Sequence, residues 1–166
     1  MRGVWAAVCI LALVGCGEVA MVGKQSFQSQ YNFARNALEK GNYDTANRAY
    51  TRLLKQAGPL DGRIRLELAH SYLRAGDFSG AASMASNVAE SNQGTARSAA
   101  LSVQGTAEHE IGLRLLAKGN TKDGAARLTS AQKAIGEVLK THPSLDPLGA
   151  LAGRQASIAV RLKDLP

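Results

Sequence analysis

The chain has 166 residues, with 20 Lys plus Arg against 13 Asp plus Glu and a formal net charge of +7. That length suits one domain or one short repeat array, and it excludes two independent enzyme domains. Apolar residues at 45% and charged residues at 20% suffice for a core and exclude general disorder. Twenty-eight alanines, four prolines and only 5% aromatics point to an all-α protein.

The N-terminus reads as an address. Arg2 opens it, and Val4 to Val14 is an apolar run that no charge interrupts. As a helix the run would reach roughly 16 Å against the ~30 Å of a bilayer core. It therefore fits the apolar region of a secretory signal and not a membrane span. Leu13-Val14-Gly15-Cys16 then resembles the lipobox of bacterial lipoproteins, where small residues admit the peptidase and only a thiol can form the thioether to lipid. The resemblance implies a signal peptide over 1–15, lipidation (a palmitate-type acyl anchor) at Cys16 and a lipidated tether over 16–26. Its alternative is an ordinary signal peptide that contains a cysteine. With Cys9 removed and Cys16 acylated, no thiol would remain for a disulfide or for catalysis. Acyl chains contribute about 0.8 kcal/mol per buried CH₂, which makes a lasting membrane anchor. Gly17 after the cysteine, in place of Asp, implies an outer-membrane position facing the periplasm.

Residues 27–59 and 60–93 repeat each other. Ala34 and Ala69, Gly41 and Gly76, Tyr43 and Phe78, and Ala46 and Ala81 recur at a spacing of 35. The alanines allow two helices to approach closely, the glycines suit the left-handed residue that ends a helix, and the aromatics plug the gap beneath the turn. Tyr50 fills the next turn, and Gly58-Pro59 is expected to stop the second helix. Both stretches resemble the tetratricopeptide repeat, a 34-residue helix–turn–helix unit. The second has Ala85 where an aromatic is usual, and it closes on Ser91-Asn92-Gln93-Gly94 without a proline.

Residues 94–143 form a lengthened, degenerate helix pair. Its first helix, over Thr95 to Lys118, ends at Gly119-Asn120, and the second is expected over Ala125 to Leu139 before His142-Pro143. The glycine spacing grows from 35 to 43 between Gly76 and Gly119. Residues 144–166 read as a capping helix, with Leu148, Leu151, Ala152, Ala156, Ala159 and Val160 inward and Arg154, Arg161 and Lys163 outward. The fold class is thus all-α, a short solenoid of helix pairs with a C-terminal cap. A plain helical bundle is the alternative.

Catalytic signals are missing. No HExxH, GxSxG, GxGxxG or GxxxxGK[ST] pattern occurs, and no catalytic residues, cofactor or metal ligands are assigned. The histidines His70, His109 and His142 are far apart, and Glu108-His109-Glu110 reads as a solvated helix face. The basic residues form no run, so nucleic acid is not expected. Anionic lipid head groups, peptidoglycan and acidic protein segments remain as targets, beside plain solubility.

The repeat resemblance implies that the first helix of each pair lines a concave groove. By register this groove comprises Gln28, Tyr31, Arg35 and Leu38 in the first repeat, and Arg63, Leu66, His70 and Leu73 in the second. Apolar and cationic groups together suit an amphipathic helix or extended segment with acidic residues. Arg35 also has Glu39 in reach at i,i+4. The Lys and Asn pattern that grips a chaperone's C-terminal carboxylate is not reproduced. In layout, lipobox plus repeats, the chain resembles the TadD family of tight-adherence pilus systems and the pilotins. That resemblance implies a non-catalytic envelope adaptor whose partner is a secretin, pilus or cell-wall component. Two rivals remain: a cell-wall-associated lipoprotein recruiting a peptidoglycan enzyme, and an enzyme with a site around His70 and His109.

Overall fold

A computed structural model describes residues 26–165. The expectations that fall on 1–25, Cys16 included, lie outside the described residues. These form seven α-helices: α1 (Phe27–Glu39), α2 (Tyr43–Leu54), α3 (Asp61–Ala75), α4 (Phe78–Ser91), α5 (Gly94–Ala117), α6 (Thr121–Thr141) and α7 (Ala150–Lys163). No strand occurs among the described residues. Each helix packs on the next in chain order, which is the layout of a solenoid of helix pairs.

Local chemistry sets the helix ends. Ser26, Asp77 and Asn120 each accept a hydrogen bond from the backbone N–H three residues on, satisfying a donor the helix leaves free. Gly41 and Gly76 stand at φ of 76° and 78°, a left-handed conformation that a side chain would strain. Ala34, Ala46, Ala69 and Ala81 are fully buried at the contacts within their pairs, and the Tyr50 ring is fully buried beside them.

Two boundaries differ from the expectation, and the close of the second pair within Ser91-Asn92-Gln93-Gly94 agrees with it. The helix α2 ends at Leu54, four residues before Gly58-Pro59, which instead opens a 3-10 turn over Gly58–Leu60 leading into α3. Without a proline at the matching place, α4 runs to Ser91 and α5 starts at Gly94. The N-cap at Asn120 starts α6 at Thr121, well ahead of Ala125.

The third pair is longer, with 24 residues in α5 and 21 in α6. Glycine takes over the role of alanine at its closest approach. A Cβ on Gly112 would fall 2.8 Å from Leu128 atoms, and one on Gly124 would fall 2.6 Å from Leu116.

The capping helix presents another face than expected. Ile158 is the fully buried residue of α7, and Leu151 and Leu162 pack beside it on the cluster of Leu128, Ala131 and Ile135. Ala152, Ala156 and Ala159 face outward, as do Val160 at 62% exposure and Leu148 at 92%. Arg154 turns inward. The reason is area: Leu151, Ile158 and Leu162 share one stripe and bury more apolar surface than an alanine stripe does. Asp146 fixes the entry by accepting from the N–H groups of Leu151 and Ala152, which leaves Leu148 in the loop before the helix.

Candidate protein-binding groove

The first helices of the first two pairs, α1 and α3, run side by side. Contacts keep their order along both. Tyr31 meets Arg63 and Glu67 near the helix starts, Arg35 meets Glu67 further on, and Arg74 reaches Tyr43 just beyond the end of α1. Parallel helices joined in this way leave a valley of about 350 Å³ between them.

Five of the eight residues assigned from sequence line the valley: Arg35, Leu38, Arg63, Leu66 and His70. Tyr31 stands at its rim, its hydroxyl donating to Glu67 Oε1 at 3.0 Å. Two of the eight lie elsewhere. Gln28 is exposed near the start of α1, before the valley begins, and donates to Asn32 Oδ1 at 2.9 Å. Leu73 turns inward and packs against the clusters built on Ala69 and Ala81. Two lining residues were missed, Glu67 and Arg74. Both follow from helical arithmetic, each lying four residues after a lining residue of the same stripe, Arg63 and His70.

The charges in the valley divide into paired and unpaired. Arg35 donates from Nε to Glu39 Oε1 at 2.8 Å and from Nη1 to both oxygens of Glu67, at 3.1 and 3.3 Å. The Glu39 hydrogen bond and the Glu67 charge push its pKa further up. Arg63 and Arg74 have no carboxylate partner among the described residues. Their guanidinium carbons lie 5.9 Å and 5.8 Å from the ring centroids of Tyr31 and Tyr43. Leu38 is buried as the floor on the α1 side, and Leu66 is half-buried on the α3 side, packing against the clusters of Val88 and Ala69.

The His70 ring is open to water, yet the enclosing walls of the concave face push its pKa below the ordinary histidine value. Glu67 opposes that shift, and Arg35 and Arg74 add to it. His70 is therefore neutral near pH 7.

A second polar cluster overturns a sequence expectation. Glu108 and His109 are not solvated but buried, at 6% and 7% exposure. Arg127 on α6 donates to both Glu108 oxygens, and Arg154 on α7 donates to His109 Nδ1 and to Glu110 Oε1, the last at 2.7 Å. Burial first, and then the Arg154 charge, hold the His109 pKa below its ordinary value. The partners come from 19 and 44–45 residues away, so nothing local announces the cluster. His109 is buried beneath α7 while His70 opens into the valley, so the two do not share a cleft.

Ser98 Oγ lies 2.8 Å from His142 Nδ1, a pairing with nucleophile chemistry in principle. At 3% exposure Ser98 is closed to substrate, and the contact fastens the start of α5 to the end of α6. Among the described residues no group of three or more His, Cys, Asp or Glu is placed to hold a metal ion. No helix among them is long and apolar enough to cross a membrane.

No curated protein and no solved structure matches the chain. The family described as tetratricopeptide repeat matches over residues 31–94, which spans α1 to α4 and the valley between α1 and α3. Residues 31–94 thus match the tetratricopeptide repeat over two helix pairs, within a chain whose described part is all-α.

Proposed function

We propose that this protein is a lipid-anchored adaptor of the bacterial envelope that binds a partner protein in the valley between α1 and α3. On this reading Cys16 carries the lipid, and the partner is a secretin or pilus component that the adaptor helps to assemble or localise, in the manner of TadD-like proteins or pilotins. The observation that carries it is the valley itself. Leu38 and Leu66 offer an apolar floor, while Arg63 and Arg74 stand at its edge without a carboxylate of their own. Unspent cations beside apolar surface favour a ligand that brings acidic and apolar groups together. No catalytic step is needed. A lipid confines the protein to the membrane plane and raises its effective concentration near membrane partners, and the helix array presents the groove already folded, with little ordering cost.

Two measurements test this reading. Labelling with a palmitate analogue is expected to mark the protein and to fail on Cys16→Ala. Labelling that persists in the variant removes the anchor. Crosslinking in cells, with mass spectrometry of what is held, is expected to return a secretin or pilus component that Arg63→Glu loses. A peptidoglycan enzyme as the main catch would instead support the cell-wall reading, and an equal catch with and without Arg63→Glu would place binding on another face.

A further inference from the structure

Arg63, Leu66, His70 and Arg74 recur along α3 every three or four residues, so they form one stripe about 16 Å long. Its two ends are cationic and its middle is not. At the ends, Arg63 and Arg74 rest near tyrosine rings with their N–H groups open to a carboxylate. In the middle, the Glu67 carboxylate is already held by Arg35 and Tyr31. An acidic side chain arriving there would meet like charge, whereas an apolar one would meet Leu38 and Leu66.

We propose that the valley takes an amphipathic helix with acidic residues at positions i and i+11 and apolar residues at i+4 and i+7. This rests on the protein-binding reading of the groove and specifies the ligand. The periods decide its form. A helix lying in the trough between two others advances 1.5 Å per residue and presents i, i+4, i+7 and i+11 on one face. The stripe on α3 runs i, i+3, i+7 and i+11, which has the same helical period and the same span. An extended segment advances about 3.3 Å per residue and would cross the stripe in about five residues, with alternate side chains turned away. The acid–apolar–apolar–acid pattern reads the same in both directions, so a parallel and an antiparallel ligand satisfy it equally.

The test uses the full chain in detergent micelles and a library of helix-forming peptides of about five turns. Each peptide carries Glu, Lys, Leu or Ala at the four face positions, and a photocrosslinker in place of the exposed His70 reports whether a peptide sits in the valley. Selection is expected to enrich Glu-Leu-Leu-Glu. Arg63→Glu and Arg74→Glu, both exposed positions checked for unchanged helix content, should each weaken that peptide by about tenfold in fluorescence anisotropy. Lys at the matching end of the peptide should restore binding to each variant. Peptides that crosslink from position 70 but lack the acid pair, or that ignore both reversals, overturn the proposed pattern and leave the groove standing. A library that yields no crosslinked binder overturns the pattern and the groove reading together.

Discussion

Arg127 on α6 donates from one guanidinium nitrogen to both oxygens of Glu108 on α5, at 3.0 and 3.1 Å. The two are unequal in exposure: the Glu108 side chain is buried, while half of the Arg127 side chain stays in water. Removing the arginine therefore leaves a buried charge without its counter-ion. Arg127→Ala is expected to lower stability by about 1–3 kcal/mol in urea titration. Arg127→Leu combined with Glu108→Leu should recover most of that loss, since both charges then go. A double variant as weak as the single one would mean that the pair is not what holds this part of the α5–α6 contact.

Glycine replacements in α5 and α7 should move in opposite directions. A Cβ on Gly112 meets Leu128 atoms at 2.8 Å and the Gly124 carbonyl oxygen at 3.1 Å, and backbone cannot give way as a side-chain tip can. Gly112→Ala is expected to cost about 1–3 kcal/mol through overpacking, despite alanine's better helix propensity. Gly153 lies inside α7 with nothing within 4 Å of its would-be Cβ. Gly153→Ala should stabilise by about 0.5–1 kcal/mol. Thermal melts of the two variants check both signs.

Acid should loosen the described domain. His109 is neutral when folded because burial, and then the Arg154 charge, lower its pKa beneath the 6.5 of a free histidine. Arg161 acts in the same direction as Arg154, and Glu110 opposes them. A group that binds its proton less readily when folded takes up protons on unfolding. Its contribution to stability is whole above about pH 6.5 and drains away as pH falls through the lowered folded value. His70 adds with the same sign. Unfolding followed from pH 8 down to pH 5 is expected to show this loss, reduced by His109→Gln and, separately, by His70→Gln. A flat profile in the unaltered protein would contradict both assignments.

The first two pairs are legible in the sequence because each contact position is a residue type with one mechanical use: Ala34 and Ala69 at the close approach, Gly41 and Gly76 at the left-handed turn. The groove is legible only in part for the opposite reason. Leu73 and Leu66 are the same residue type on the same helix and both touch the Ala69 cluster, and only the position of α4 and α5 adds the Ala81 cluster over Leu73 and takes it out of the valley. The rotation of α7 is not legible in the sequence because a stripe of alanines and a stripe of Leu151, Ile158 and Leu162 coexist on one helix, and their difference in buried area appears only against the helices they pack on. Glu108-His109-Glu110 looked like a wet surface because Arg127 and Arg154, which make its burial tolerable, are remote in the chain.

At the mouth of the valley α1 and α3 are joined by polar side chains, Arg35 and Tyr31 on Glu67 with Arg63 over the Tyr31 ring, above the buried cluster that Leu38 shares with Ile64 and Leu68, whereas α5 and α6 interlock through glycines at close range. Ion pairs with one exposed partner give way at little cost, and interdigitated backbones do not. The mouth of the valley is therefore the more compliant joint and the α5–α6 contact the stiffer one. A ligand seated between α1 and α3 can change the curvature of the first two pairs while the third pair stays a fixed strut. Under tension applied at the N-terminal side, α1 and α2 should peel away first and the α5–α6 pair last.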